Sequence, residues 1–234
     1  PGMTECEELL HVAKTIVVLD HHRQSSDNID NALLSYIEPY ASSACEMVSE
    51  VLQYIVDDIK IPNLEASSLY AGIMIDTNNF MNKTGVRTFE AAAFLRRSGA
   101  DITLVRKMFR DDMESYRAKA QIISSAKVYH NKYAIARGEN LTIESPTIIG
   151  AQAANELLDI NEVKASFVLT TYNGRIYVSA RSIDEVNVQI IMERLGGGGH
   201  MNASGAQFDH TDMDEAVADL KQVIDDVIEG GEIE

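Results

Sequence analysis

Cysteine is nearly absent: the 234 residues hold only Cys6 and Cys45. Two thiols cannot build a disulfide framework or a cysteine-rich zinc site, so a reducing, cytoplasmic setting is expected. Neither has a base near it in sequence, and neither is assigned a nucleophilic role. Positive charge is scarce too. Lys plus Arg number 20 against 36 Asp plus Glu, a formal charge of −16. Such a surface repels long nucleic acids, whose affinity rests on cationic side chains. A phosphate-bearing substrate would need something other than bulk charge to attract it, and bound divalent metal ions are the obvious candidate. No apolar run is long enough to cross a membrane, and no basic-then-apolar signal opens the chain. Collagen and coiled-coil periods, internal repeats and low-complexity tracts are missing. The sequence opens Pro1-Gly2-Met3, and we expect it to be cut from a longer protein.

What is present is globular composition, 45% apolar and 24% charged, enough to build a core. The length suits one large domain or two modest ones. Lys14 to Leu19 carries Ile16-Val17-Val18-Leu19, a continuous β-branched run that suits a parallel strand buried on both faces. It stops at Asp20-His21-His22, before a polar stretch from Arg23 to Asn31. Ser42 or Ser43 caps a helix running to about Asp57, with Glu46 at capping-box spacing from Ser43. A second helix follows Pro62-Asn63, with Leu64, Leu69, Ile73 and Met74 on one face and Asp76 near its end. A third covers Thr88 to Gly99, and Asp101 caps a fourth from Ile102 to Arg110.

The composition then shifts. Residues 113–125 read as a charged connecting helix. Beyond them come strands at Val128-Tyr129 and Tyr133-Ile135, a helix over Ile148–Leu158, and two strands, Val163–Thr171 and Arg175–Arg181. Asn173-Gly174 between these strands is a strong hairpin signal. A short helix, Val188–Leu195, precedes the glycine run. Gln207-Phe208 closes a strand and Met213–Ile228 is a terminal helix. The fold class is therefore α/β over residues 1–112, joined by the helix to a smaller α+β domain over 126–234.

Four places could carry chemistry. Asp20-His21-His22 lies at the carboxyl end of a strand, the edge at which open α/β sheets form sites. Consecutive strand residues point to opposite faces, so one His on metal and the other on substrate is the expected division; a polar loop with two histidines is the alternative. Asp76 follows Ile73-Met74-Ile75 and reads as a carboxylate among core residues that needs a cation or donors, or else as a helix-terminal Asp bonded to nearby amides. Gly196 to Gly199 followed by His200 suits close approach of a phosphate to the backbone; a flexible turn after a helix explains one glycine but not four. Arg181 could fork onto a phosphate or form a surface salt bridge. Asn187 and Asp212 read as helix caps, and His11, His130 and His210 as structural.

Taken together, Asp20-His21-His22, Asp76 in GIMIDTNNF and Gly196–Ala206 in GGGGHMNASGA resemble the DHH phosphoesterase superfamily with its C-terminal DHHA1 domain. The stretch from Leu19 to Ile55 looks most similar to the catalytic end of bacterial cyclic-di-AMP phosphodiesterases. The resemblance implies a partial DHH domain followed by DHHA1. It also implies a two-ion Mn²⁺ site with His21 and Asp76 as ligands to one ion, Asp20 orienting His21, and His22 facing the scissile phosphate as anion binder or acid. Gly198, Gly199, His200 and Arg181 would hold the rest of the substrate. The implied reaction hydrolyses cyclic di-AMP to linear 5′-pApA. A sibling activity on short oligoribonucleotides or 3′-phosphoadenosine 5′-phosphate is the alternative, and a non-catalytic nucleotide-binding module is a third reading. The family's first motif, His-x-x-x-Asp-x-Asp, and its bridging Asp are absent, so the chain is expected to start inside the DHH domain. It should then lack part of the metal site, be inactive alone, and self-associate as a homodimer through the cut sheet edge. Transmembrane helices, a PAS-like sensor and a degenerate GGDEF domain would precede it, placing the module on the cytoplasmic face of the membrane.

Overall fold

A computed structural model describes residues 6–22, 29–55, 59–183, 186–209 and 212–231. Two compact units divide the chain, Pro1–Arg110 and Asp111–Glu234. The expected helix end near Asp57, most of the polar stretch after His22, and His210 lie outside the described residues.

The first unit is helical around a small sheet: α1 Glu8–Val12, β1 Val17–Asp20, β2 Leu34–Ile37, α2 Ala44–Ile55, α3 Asn63–Asp76, α4 Val86–Arg97 and α5 Ile102–Met108. The apolar run does form a parallel strand, β1, with Val17 against Leu34 and Asp20 against Ile37 of β2. It is not buried on both faces, however. None of its residues is fully buried, and Val17 is 51% exposed. Two strands give it too little sheet to be covered on each side.

Local rules set the helix ends. Ser43 Oγ accepts from the Glu46 amide at 3.0 Å, while Glu46 Oε2 reaches back to the Ser42 hydroxyl at 2.5 Å. This is a capping box displaced by one residue. Asp101 caps α5 by accepting from the amides of Thr103 and Leu104. The stripe expected on α3 holds in part: Ile73 is buried with Leu69 packed against its cluster, but Leu64, on the first turn, is 59% exposed. The unit's main core is Ala66, Ile73, Ala91, Leu95 and Ala100.

The second unit is a layered α/β body: α6 Met113–Ser124, β3 Lys127–Tyr129, β4 Tyr133–Gly138, α7 Pro146–Leu157, β5 Ala165–Tyr172, β6 Arg175–Ser182, α8 Val188–Arg194, β7 Gly198–His200, β8 Ala203–Phe208 and α9 Met213–Glu229. Its six strands run in the order β3-β4-β5-β6-β8-β7. Only β4 and β5 are parallel, joined through α7. Alternation sorts the strand residues to two faces. Tyr133, Phe167, Leu169, Ile176 and Val178 pack with α8 and α9 residues such as Ile191, Leu220 and Ile224. Ala134, Ala136 and Val168 face α6 and α7 through Ile122, Ile149, Ala153 and Leu157. The β5–β6 turn is Asn173-Gly174, both with positive φ (49° and 72°), the conformation of a two-residue hairpin loop.

Candidate functional site

In the first unit the site is built on the end of β1. Asp20 is its last residue, and His21 and His22 follow directly. The rings of His21 and His22 lie 4.6 Å apart at 49°. His21 turns toward α3: its Nε2 is 3.7 Å from Asp76 Oδ2, with the His21 side chain 16% exposed. His22 instead takes Asp20, whose Oδ1 lies 2.7 Å from its Nδ1 and accepts its backbone N–H at 3.0 Å. Asp20 therefore orients His22. It was expected to orient His21; here its hydrogen bonds go to His22, because the chain turns after β1 and brings the residue two ahead within reach. Burial, the largest influence on Asp20, pushes its carboxyl up, but the bonds from the His22 amide and ring outweigh it and the net pKa is lowered.

Asp76 is not enclosed by core. Its side chain is 39% exposed, and Ile75 beside it is 65% exposed. Three consecutive apolar residues on a helix cannot all face one way. What fixes Asp76 is the turn after it. Thr77 donates its hydroxyl to the Ile73 carbonyl at 2.7 Å and accepts the Phe80 amide at 3.0 Å. Asn78, Asn79 and Phe80 then all take positive φ (46°, 58° and 65°). Asn tolerates this region and Phe does not. Phe80 is held there between Tyr70 and Phe89, with ring centroids at 5.7 and 5.8 Å. This strained turn was not foreseen; the Asn78-Asn79 pair was its one sequence signal. Gly72 lets α2 come close to α3, since a Cβ there would sit 2.3 Å from Cys45 Sγ. Burial raises the Cys45 thiol pKa, and the Asp76 charge adds to it.

In the second unit strand register assembles the other candidates. Arg181 pairs with Ala203, and Ala203 with His200; Ser179 pairs with Gly205, and Gly205 with Gly198. Cross-strand partners share a face, so Arg181, Gly198 and His200 share the face of the sheet opposite α8 and α9. Gly199 pairs with Ser204 on the other face and does not join them. The glycine run is thus not a free loop; its last two glycines lie in edge strand β7. Gly196 (φ 77°) closes α8, its amide bonded to the Glu193 carbonyl and that of Gly197 to the Met192 carbonyl, a Schellman end. A Cβ on Gly197 would lie 2.1 Å from the Gly205 carbonyl oxygen, and one on Gly199 (φ 143°) 2.6 Å from Ser204 Cα. Gly198 meets nothing within 4 Å. It is the one glycine of the four that packing and backbone shape do not require.

The Arg181 guanidinium is half-buried, and burial lowers its pKa. It donates to the neighbouring Ala180 carbonyl at 2.8 Å, and no carboxylate pairs with it among the described residues. Among the described residues the salt-bridge alternative has no partner, and the Ala180 carbonyl is the one hydrogen-bond acceptor seen for this guanidinium. Asn187 and Asp212 are helix caps, accepting from Gln189 and from Asp214 and Glu215 respectively. His130 is structural, held to Asp225 at 2.7 Å.

Comparison with known proteins follows this division. The chain is 44% identical over 232 residues to cyclic-di-AMP phosphodiesterase GdpP of Geobacillus thermodenitrificans, covering 99% of the chain and 35% of that protein. It is 41% identical over 226 residues to cyclic-di-AMP phosphodiesterase PdeA of Listeria monocytogenes, covering 96% of the chain and 34% of that protein. The chain thus spans about a third of the length of these relatives. Among solved structures, an exopolyphosphatase-related protein from Bacteroides fragilis superposes with a TM-score of 0.81 at 23% identity, over 94% of this chain and 67% of that one. Residues 2–73 match the N-terminal domain of the DHH family, and residues 133–229 match the DHHA1 domain. In that order, and with the relatives' identity running through both, they make this chain a member of the DHH family that carries a DHHA1 domain.

Proposed function

We propose that the chain is the hydrolytic part of a cyclic-di-AMP phosphodiesterase, cutting one 3′–5′ phosphodiester to leave linear 5′-pApA. The observation that carries this reading is the 41–44% identity, over nearly the whole chain, to proteins named for that activity. The geometry is compatible with it. His21 and Asp76 offer one imidazole and one carboxylate without thiolate, a donor set suited to Mn²⁺. They would hold one ion through part of its shell. No group of three metal-binding side chains occurs among the described residues, so a second ion is not provided for by them. A divalent ion bound there would supply an activated water and neutralise phosphoryl oxygen charge.

The chain's own residues do the rest. Asp20 would accept a hydrogen bond from His22 Nδ1–H, which leaves Nε2 as the edge that, when protonated, can give a proton to a phosphoryl or leaving oxygen. In the second unit Arg181 and His200 would bind a phosphate, and Gly198 would let it approach the backbone. With two metal donors among the described residues, this chain alone should hold Mn²⁺ weakly and turn over poorly.

The test is incubation with cyclic di-AMP and Mn²⁺ followed by chromatography for pApA. It is run on this chain and on a longer protein that contains it. The longer protein should form pApA, this chain little, and the His22→Ala variant of the longer protein none. Equal turnover by both would show that two donors suffice. Preferential turnover of short oligoribonucleotides or 3′-phosphoadenosine 5′-phosphate would transfer the reading to the sibling activity.

A further inference from the structure

The face that carries Arg181 and Gly198 continues beyond them. Along β6 the residues on this face are Arg181, Ser179 and Tyr177, and on β8 their partners are Ala203, Gly205 and Gln207. Two residues of strand advance about 6.6 Å, so Tyr177 lies about 13 Å from Arg181 along the strand. Between them Ser179 and Gly205 are small, which keeps the surface low. Tyr177 is half-buried and Gln207 exposed. Among the described aromatic rings Tyr177 pairs with Tyr172, their centroids 6.2 Å apart. Neither the Tyr177 hydroxyl nor the Gln207 amide has a hydrogen-bond partner among the described residues.

We propose that Tyr177 and Gln207 form a nucleobase subsite that takes adenine, placed one nucleotide's length along β6 from the phosphate position at Arg181. The inference rests on the phosphate-binding reading of Arg181 given above. A phenol ring offers a stacking face to a base, and a glutamine amide can donate and accept against the N6 and N7 edge of adenine. A guanidinium at one end, a low floor and an aromatic–amide pair at the other match the polarity of an adenine nucleotide: anion, sugar, flat base. The same pair of tyrosines could simply brace the hairpin, so the measurement must separate base recognition from stability.

Binding of adenosine 5′-monophosphate, uridine 5′-monophosphate and ribose 5-phosphate to the 234-residue chain is measured by calorimetric titration. Wild type should bind adenosine 5′-monophosphate about tenfold tighter than ribose 5-phosphate, the increment typical of one stacked base. Tyr177→Leu should erase that ratio while leaving ribose 5-phosphate affinity unchanged, and Tyr177→Phe should restore it. Gln207→Leu should narrow the preference for adenosine over uridine monophosphate. A bracing role would lower the melting temperature of Tyr177→Leu and leave the ratio alone, which overturns the proposal. If wild type binds ribose 5-phosphate and adenosine 5′-monophosphate equally, the base subsite fails while the phosphate reading stands. If it binds neither, the phosphate reading fails and the subsite with it.

Discussion

The two units differ in how they use apolar residues. About three-quarters of the buried apolar side chains among the described residues belong to the second unit, and about two-thirds of the large exposed ones to the first. More than half of the first unit's buried apolar residues are alanines, each removing little surface from water. The second unit instead buries Tyr133, Phe167, Ile191 and Leu220 in one cluster between its six-stranded sheet and α8 and α9, with a second cluster on the other face. The sites follow suit. In the first unit three adjacent residues and one helix-terminal carboxylate make the site, while in the second it is spread across strands and placed by register. A site made locally survives in a thin scaffold; one made by register needs the whole sheet.

The comparison can be tested by substitution, starting with the core. Phe167→Ala should lower stability by about 3–5 kcal/mol in urea unfolding, the usual loss for a buried aromatic. Val17→Ala on half-exposed β1 should change it by less than about 0.5 kcal/mol. Comparable effects would show that the two sheets are equally buried. Register comes next. Gly199→Ala forces a Cβ against β8 at positive φ and should cost about 2 kcal/mol or more. Gly198→Ala should leave the melting temperature unchanged and weaken ribose 5-phosphate binding. Reversed outcomes would undo the separation of structural from ligand-facing glycines.

In the first unit, His21→Ala should weaken Mn²⁺ binding roughly tenfold or more. His22→Ala should keep it, as read by metal titration; equal losses would end the division between the two histidines. A smaller effect is expected with pH. Asp225 accepts from His130 and from Tyr129, in that order the main causes of its lowered pKa. A depressed carboxyl stabilises the fold above its unfolded value of about 3.9, and the gain is lost as pH falls through the folded value. The urea midpoint of Asp225→Asn should therefore fall below wild type at pH 6 and converge on it near pH 2.

Local grammar was legible in the sequence: the Asp101, Asn187 and Asp212 caps, the Asn173-Gly174 turn and the Asp20-His21-His22 strand end can each be read from a few neighbours. What depended on distant partners was not. Strand β2, Leu34-Ser35-Tyr36-Ile37, exists because β1 lies beside it, and its mixed residues carry no alternation to announce it. The glycine run reads as a loop because nothing near it names β8, against which Gly197 and Gly199 are pressed. Arg181, Gly198 and His200 could each be suspected, but only pairing through Ala203 and Gly205 puts them on one face and sends Gly199 to the other. Asp76 misled because three apolar neighbours suggested burial that the helix's rotation does not give it.

The hairpin at Asn173-Gly174 also bears on the order in which the second unit assembles. All eight β5–β6 pairs close within one short loop, whereas β4 meets β5 only after the chain has travelled through α7. Short loops close at small entropic cost and long ones later. On this argument Arg181 is set on its strand early in folding, before β4 joins β5. Gly174→Ala, strained at φ 72°, should slow refolding several-fold and leave the unfolding rate nearly unchanged in stopped-flow chevrons. A change confined to the unfolding limb would place the hairpin after the transition state.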